Sequence, residues 1–211
     1  MIKFSGQYDE NHYYANDNKI VIQINKSNPI VYDQEYFDRY KSLEKTQMGF
    51  DITKGRFDLV RKYSQGKVLD TGIGCGAFLT MIGDEGFGYD INVQGVKWLE
   101  EKRKFLNPHE SKTSHINCWT FWDVLEHLPD PSVSLGFIKS KDFLFISIPI
   151  FDNFENLKKN KHFKPNEHFY YFTNYGLIEY LEDMNFVFLE KDDLEIKLGR
   201  QDIQRYVFQK S

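Results

Sequence analysis

Long apolar runs and cysteines are both scarce in this chain, and each scarcity excludes a class of protein. No stretch of 18 consecutive apolar residues occurs in the 211 residues, so the sequence predicts no membrane-spanning helix. Residues 1–30 lack the apolar segment of a secretory signal peptide. The two cysteines, Cys75 and Cys118, cannot form a metal cluster alone. We therefore expect a soluble, intracellular protein with no membrane partner and no bound metal.

Positive charge is not in excess either. Lys and Arg number 27 against 31 Asp and Glu, which gives a formal net charge of -4 at pH 7. Because such a chain has no overall attraction to a phosphate backbone, its composition argues against nucleic acid as a partner. Composition does not fix the oligomeric state, and both a monomer and a homodimer stay open.

The chain also lacks internal repeats and Gly/Ser linkers, which favours one compact unit. Residues 66–211 are expected to form the main domain. Residues 1–65 are expected to add a hairpin and helices that cap its ligand site. The hairpin is predicted from the segments Ile20–Ile24 and Pro29–Tyr32, which flank an Asn-rich turn.

Two helices are predicted after this hairpin, over residues 34–46 and 51–63, from their aromatic and aliphatic spacing. Beyond Gly66, strands alternate with helices of about ten residues, which predicts an α/β fold with a doubly wound, Rossmann-like and mostly parallel sheet. The last two strands follow each other without a helix and are expected to pair antiparallel at one edge. The predicted strands are Lys67–Asp70, Phe87–Ile91, Ile116–Trp122, Phe143–Ile148, Phe186–Glu190 and Gln204–Gln209.

A glycine-rich loop follows the first of these strands. The strand ends at Asp70, and Gly72, Gly74 and Gly76 come directly after it. Glycines there permit a tight turn and let a ligand approach the backbone. In doubly wound sheets, ligands bind outside the carboxyl ends of the strands, at the point where strand order reverses. The loop is therefore the predicted ligand site.

An acidic residue lies in a matching position on the second strand. Asp90 ends that strand, 20 residues after Asp70, and a carboxylate there can accept hydrogen bonds from ribose hydroxyls. The loop and the acid together predict a nucleoside cofactor. Gly72-x-Gly74-x-x-Ala77 also satisfies the looser dinucleotide pattern, so an NAD-dependent oxidoreductase stays open on this evidence.

Downstream segments carry a family resemblance. Phe121–Pro131 has the sequence Phe-Trp-Asp-Val-Leu-Glu-His-Leu-Pro-Asp-Pro. Together with Val68–Gly76, it resembles the class I S-adenosylmethionine-dependent methyltransferases, nearest to a small-molecule type with an LEH-x-P-D-P segment. Ser147–Pro149 and Pro165–Thr173 resemble later segments of that type, so the resemblance covers residues 56–190. Compact methyltransferases encoded by bacteriophages are similar as well.

The resemblance implies S-adenosylmethionine as cofactor, and methyl transfer to an O or N atom, less favourably a C atom, of a small molecule or modified group. It implies a cytoplasmic location, in a bacterium or an infected host cell. The glycine loop would hold the methionine part of the cofactor, Asp90 the ribose, and Ile91 would flank the adenine. The cofactor residues implied by position are Asp70, Gly72, Gly74, Gly76, Asp90 and Ile91, with Asp123 and Val124 beside the methionyl part.

One feature of the family has no clear counterpart in this chain. Family members usually have a third strand, followed by an acid that binds the adenine amino group. Residues 106–114 contain no apolar strand and no Asp-Ala pair. The third strand is therefore expected to be missing, and adenine recognition is unassigned.

The candidate catalytic residues are Glu126, His127 and His168, which follow strands at the carboxyl edge of the sheet. Methyl transfer from a sulfonium is an in-line displacement, so the protein aligns the acceptor and supplies a base where the acceptor holds its proton. Each residue has a structural alternative, in which it anchors a loop or a pocket wall through hydrogen bonds. Arg56 either pairs with the cofactor carboxylate or is a solvated charge on a helix.

Two other classes of methyltransferase lack support in the sequence. Amino-directed DNA methyltransferases need a [DNS]-P-P-[YFW] segment, whereas Ser147-Ile-Pro-Ile lacks the second proline and the aromatic residue. Cytosine-carbon enzymes need a cysteine after a proline, and neither cysteine has that context. A small molecule or a modified group is therefore favoured over a DNA base as the acceptor. A non-catalytic module that binds the cofactor without turnover stays open as an alternative.

Overall fold

The computed structural model describes residues 2–24 and 31–211, and its strands and helices alternate along most of this length. The strands are β1 (Phe4–Gln7), β2 (His12–Ala15), β3 (Ile20–Gln23), β4 (Lys67–Thr71), β5 (Gly86–Tyr89), β6 (Ile116–Trp122), β7 (Phe143–Phe151), β8 (Tyr170–Thr173), β9 (Phe186–Asp192) and β10 (Ile203–Lys210). The helices are α1 (Gln34–Glu44), α2 (Gln47–Tyr63), α3 (Ala77–Ile82), α4 (Val93–Glu101), α5 (Pro131–Leu135), α6 (Asn174–Glu182) and α7 (Leu194–Lys197).

The central sheet is parallel through β5, β4, β6 and β7, and it ends in an antiparallel edge. β10 pairs antiparallel with β7 on one side and with β9 on the other. The chain runs from β4 out to β5 and then returns to β6 on the opposite side of β4. Strand order therefore reverses between β4 and β6, which is where such sheets bind ligands. The predicted α/β doubly wound sheet with an antiparallel edge is confirmed.

Helices cover both faces of this sheet. On one face, Leu59 and Val60 of α2 pack with Phe78 of α3 against the strands. On the other face, Leu135 of α5 and Leu177 of α6 belong to the larger core cluster. Strands buried on both faces carry continuous apolar runs, and this accounts for the sequence Phe-Leu-Phe-Ile-Ser-Ile at the start of β7. Cys118 is buried in this core.

β7 is long enough to pair with two different strands along one edge. Its residues 143–149 pair with β10, and its end, Ile150 and Phe151, pairs in parallel with β8. β8 continues antiparallel into β3, β2 and β1. The N-terminal strands thus extend the sheet from the carboxyl end of β7, so the N-terminal segment lies close to the ligand site.

Of the predicted N-terminal hairpin, the strand in its first segment is confirmed, but the pairing of its two segments is not. Its first segment is the strand β3, but both edges of β3 are occupied, by β2 and by β8. The turn and the start of the second segment, residues 25–30, lie outside the described residues, and Val31 and Tyr32 are not in a strand. The two predicted helices are confirmed as α1 and α2, which Asp33 and Thr46 cap through their side-chain oxygens.

The structure has a single β-bridge in the region where a third strand was expected to be missing. After α4 the chain returns to β5 for one isolated parallel bridge, between Phe105 and Gly88. The Gly88 amide donates to the Lys104 carbonyl at 2.9 Å, and the Leu106 amide donates to the Gly88 carbonyl at 2.9 Å. Residues 106–114 contain no strand. In the ranges 2–24 and 31–211, no helix has both the length and the apolarity needed to cross a bilayer.

Candidate active site

A cavity of about 380 Å³ opens at the carboxyl ends of β4, β5 and β6. It lies at the point where strand order reverses. The cavity contains polar groups from the strand tips and aromatic rings from the N-terminal segment and the loops. Its lining comprises Tyr32, Tyr36, Tyr40, Thr71, Gly72, Gly74, Tyr89, Asp90, Ile91, Asn92, Trp122, Asp123, Val124, His127, Leu128, Pro129, Ser134, Asn166 and Phe169.

Most of the site residues expected from sequence lie in or directly beside this cavity. Seven of them are in the lining: Gly72, Gly74, Asp90, Ile91, Asp123, Val124 and His127. The other five are outside it: Asp70, Gly76, Arg56, Glu126 and His168.

The glycine loop adopts a backbone that other residues rarely tolerate. Gly72 has φ +72° and Gly76 has φ +80°, both in the left-handed region. A Cβ at Gly72 would lie 2.4 Å from a side-chain methyl of Val124, and one at Gly76 would lie 2.6 Å from the Trp98 ring. The loop therefore needs glycine both for its dihedral angles and for its close packing against Val124, just after β6, and against α4.

Asp70 is a residue of β4, and its side chain lies between β4 and β6. The Thr120 hydroxyl donates to its Oδ1 at 2.6 Å. Burial raises the pKa of Asp70 to about 8, although the Thr120 hydrogen bond opposes the shift. The side chain is buried and absent from the cavity lining, so Asp70 supports the loop from below.

Asp90 lies in the cavity wall just after β5. The Asn92 amide donates to Asp90 Oδ1 at 2.7 Å, which fixes the carboxylate at the start of α4. Burial raises the pKa of Asp90 above its ordinary value. Ile91, the next residue, has an exposed side chain at the cavity mouth. This arrangement presents one acid and one apolar side chain to the same part of the cavity.

Asp123, just after β6, is held by two arginines. Its φ is +58°. Arg56 donates to Asp123 Oδ2 at 2.9 Å, and Arg200 donates to both carboxylate oxygens, at 2.9 and 3.0 Å. Burial opposes ionisation, but the Arg200 and Arg56 guanidinium groups outweigh it and hold the pKa of Asp123 well below its usual range. Asp123 is therefore a fixed carboxylate in the cavity wall.

Glu195 of α7 completes this charged cluster from below. Its side chain is 0% exposed. Arg56 donates to it through Nε at 2.8 Å, and Arg200 forms a short contact with it. Arg56 also donates to the Ser147 hydroxyl at 2.9 Å. Arg56 is therefore not a solvated helix charge, but a buried link between α2, β6 and α7.

The three candidate catalytic residues come together in the structure. Glu126 and His127 lie in a short 3-10 turn, Leu125–His127, directly after β6. The His168 ring packs edge-on against the His127 ring, with centroids 4.6 Å apart. Glu126 Oε1 lies 4.0 Å from His127 Nε2. Of the three, only His127 lines the cavity; Glu126 and His168 are buried behind it.

Burial governs the protonation of the two inner residues. Burial, together with the negative charge of Asp123, raises the pKa of Glu126 well above its ordinary value. Burial also lowers the pKa of His168 to about 2, so its imidazole is neutral. A histidine held neutral in this way is not suited to donate a proton to a substrate.

Sequence reasoning missed several residues of the cavity and its charged cluster. Tyr89 and Trp122 each directly precede a predicted site residue, and that adjacency was the available signal. Arg200 and Glu195 come from the segment between the last two strands and carry no local motif. The other lining residues that the sequence did not assign are Tyr32, Tyr36, Tyr40, Thr71, Asn92, Leu128, Pro129, Ser134, Asn166 and Phe169.

Comparisons with known proteins agree with this geometry. The sequence profile of a methyltransferase domain family matches residues 42–191. No curated protein sequence matches the chain.

Among solved structures, a putative methyltransferase of Haloferax volcanii, solved with a methyltransferase activator, has a TM-score of 0.62 at 15% identity, covering 85% of this chain and 99% of that one. The magnesium protoporphyrin IX methyltransferase of Synechocystis, solved with S-adenosylmethionine, has a TM-score of 0.58 at 14% identity, covering 85% and 93%. An S-adenosylmethionine-dependent methyltransferase of Archaeoglobus fulgidus has a TM-score of 0.58 at 19% identity, covering 83% and 100%. At these identities the likeness concerns the fold, whereas the profile match spans more than half of the sequence, and the chain belongs to the methyltransferase domain family.

Proposed function

We propose that this chain transfers the methyl group of S-adenosylmethionine to an O or N atom of a small molecule or a modified group. The observation that carries the proposal is the convergence of the glycine loop, Asp90 and Asp123 on one cavity where strand order reverses. Family membership favours methyl transfer over the dinucleotide alternative. The similar Synechocystis methyltransferase is solved with S-adenosylmethionine and also with S-adenosylhomocysteine, which supports the same donor here.

Each part of the donor has a matching group in the cavity. The backbone of Gly72 and Gly74 meets the methionine part, where a side chain would block its approach. Asp90 accepts hydrogen bonds from the ribose hydroxyls, and Ile91 covers one face of the adenine. Asp123 and Val124 flank the methionyl part.

The remaining residues with proposed roles support these contacts from outside the cavity. Asp70 and Gly76 shape the loop, and Arg56 fixes Asp123 in place. Residues 1–65 act as the cap of the site, and residues 66–211 as the methyltransferase domain. Tyr32 connects the two parts at the cavity: it belongs to the cap, and its hydroxyl lies 3.3 Å from Nδ1 of His127 in the methyltransferase domain.

The acceptor meets a largely aromatic wall. Tyr32, Tyr36 and Tyr40 come from the cap, and Phe169 from the loop before β8. Flat or apolar small molecules fit such a surface. His127 is the candidate catalytic residue that an acceptor in the cavity contacts directly, and Glu126 and His168 act through it as positioning residues.

Methyl transfer is tested by incubating the purified chain with S-adenosylmethionine labelled on its methyl group and with fractionated cell extract. Label should pass to the small-molecule fraction and should not pass to DNA. Asp90→Ala serves as the matched control and should transfer far less label. Donor binding without transfer to any fraction would instead identify a non-catalytic module.

A further inference from the structure

Glu126, His127 and His168 form a cluster of metal-ligating side chains beside the donor cavity. Each offers one ligand atom, a carboxylate oxygen or an imidazole nitrogen, and these atoms all lie within 4.8 Å of one another. Two of the three residues are buried, and the third lines the cavity. The cluster comes from two separate segments, the turn after β6 and the loop before β8, which meet where the Phe169 amide donates to the Glu126 carbonyl at 2.7 Å.

The hydrogen bonding of His127 orients one of its nitrogens toward this cluster. Nδ1 lies 3.1 Å from the carbonyl oxygen of Glu167. Nδ1 also lies 3.3 Å from the Tyr32 hydroxyl, which can accept as well as donate. Because a carbonyl only accepts hydrogen bonds, the tautomer that satisfies both contacts has its proton on Nδ1 and its lone pair on Nε2. Nε2 is the atom that lies 4.0 Å from Glu126 Oε1. Metal-binding histidines are commonly oriented in this way, with the second ring nitrogen donating to a backbone carbonyl.

The Glu126 carboxylate is the second observation that points to a cation. Its side chain is 2% exposed, and its Oε2 has no hydrogen-bond partner among the described residues. No lysine or arginine in the described part of the chain forms an ion pair with Glu126. A buried carboxylate oxygen without a partner is unfavourable, and a metal ion between the carboxylate and the imidazoles would satisfy it.

We propose that Glu126, His127 and His168 bind one divalent metal ion of the zinc type in the wall of the donor cavity. Two imidazoles and one carboxylate form a ligand set that suits zinc better than magnesium, which prefers oxygen ligands. Ligand atoms around four-coordinate zinc lie about 3.4 Å apart, given bonds of about 2.1 Å. The three side chains therefore need to close by about an ångström on binding. The cavity beside His127 provides the route of access.

Three protein ligands leave one coordination position open, which is the arrangement of zinc sites that bind a water or a substrate. An ion here polarises an acceptor oxygen next to the methyl donor. This consequence rests on the proposed methyl transfer, whereas metal binding itself does not. The two cysteines predicted no metal site, whereas these three ligands come from two segments that share no local metal-binding motif.

The test uses the untagged, full-length chain after chelator treatment, titrated calorimetrically with zinc chloride and, separately, with magnesium chloride. Zinc should bind with one ion per chain at micromolar concentration or below, and more tightly than magnesium. Glu126→Gln and His168→Gln should each weaken zinc binding by more than the roughly 10–100-fold that loss of an outer hydrogen-bond partner costs. His115→Gln, which changes an exposed histidine, should bind zinc as the parent does.

Two further measurements test the metal ligands directly and distinguish a failed metal site from a failed donor site or a misfolded protein. Cobalt(II) in place of zinc should give visible absorption bands that Glu126→Gln and His168→Gln abolish. Binding of S-adenosylhomocysteine, measured on the same proteins, separates failure of the metal site from failure of the proposed donor site and reports folding. The proposal is overturned if the parent binds no zinc, if both cluster variants bind it as the parent does, or if His115→Gln loses it equally. Should one cluster variant not fold, the other decides the result.

Discussion

Arg56 donates a hydrogen bond to Asp123 at 2.9 Å, and this contact ties α2 to the strand tip that lines the donor cavity. Both residues also share the buried partner network of Arg200 and Glu195. The stability of the fold and the geometry of the cavity wall therefore depend on the same four side chains.

Replacing Arg56 by alanine leaves two buried carboxylates with one arginine between them. Breaking a buried ion pair on one side costs about 3–5 kcal/mol, and because Arg200 remains, we expect a loss of about 3 kcal/mol in the free energy of unfolding. Urea titration measures it. The matched control is Lys54→Ala on the same helix, whose exposed pair with Asp58 is worth less than about 1 kcal/mol. Equal losses in the two variants would show that the buried network does not stabilise the fold.

Gly72→Ala tests the packing of the glycine loop. An alanine at this position would have to adopt the φ of +72° that Gly72 has, which is unfavourable, and its methyl group would overlap Val124. We expect the affinity for S-adenosylmethionine to fall at least about tenfold, which corresponds to about 1.4 kcal/mol. Gly83→Ala is the control, because Gly83 has a similar φ of +76° but open space around it.

Both glycine variants place alanine at a positive φ, which is a strained conformation for any residue with a Cβ. Both should therefore lose stability, whereas only Gly72→Ala should bind the donor poorly. Unchanged donor affinity in Gly72→Ala would argue against close approach of the ligand to this loop.

The raised pKa of Asp70 predicts that the stability of the ligand-free chain depends on pH. Burial raises its pKa to about 8 in the fold, from an ordinary value of 3.8. Between these values the folded state binds more protons than the unfolded state, so the free energy of unfolding falls as the pH rises from about 4 to 8. The contribution of one such group has a slope of at most about 1.4 kcal/mol per pH unit.

Asp70→Asn removes this contribution, because asparagine does not ionise. Urea unfolding at several pH values should give a flatter profile for Asp70→Asn than for the parent. Asp84→Asn, a change at an exposed aspartate, should leave the parent profile in place. A profile that is equally steep in the parent and in Asp70→Asn would mean that Asp70 is not the buried acid responsible.

The sequence predicted the parallel sheet and the ligand edge well, because both depend on local patterns. Buried strands carry continuous apolar runs, and the glycines at 72, 74 and 76 mark a left-handed loop. Partners distant in sequence were not predictable. The pairing of β3 with β8 and the ion pair of Arg56 with Glu195 join segments about 140 residues or more apart, and neither leaves a local motif.

The N-terminal segment is a second example in which a strand could be predicted from sequence but its pairing partners could not. Ile20–Gln23 begins with three β-branched apolar residues, which are typical of a strand, so its conformation was predicted from sequence. The strands that pair with it were not predicted, because strand propensity does not specify which strands will pair. Asp70 illustrates a further limit: its place at the end of the first predicted strand suggested a ligand contact, but the structure buries its side chain against Thr120.

The central claim is that the cavity binds S-adenosylmethionine, with Asp90 on its ribose, and calorimetric titration tests it most directly. The parent should bind S-adenosylmethionine and S-adenosylhomocysteine at micromolar concentration and should not bind NAD. Asp90→Ala should weaken donor binding by about 1.5–3 kcal/mol, the range for a hydrogen bond to a charged group, and Asp84→Ala should not. Binding of NAD alone, or equal donor affinity in Asp90→Ala and the parent, would contradict the account.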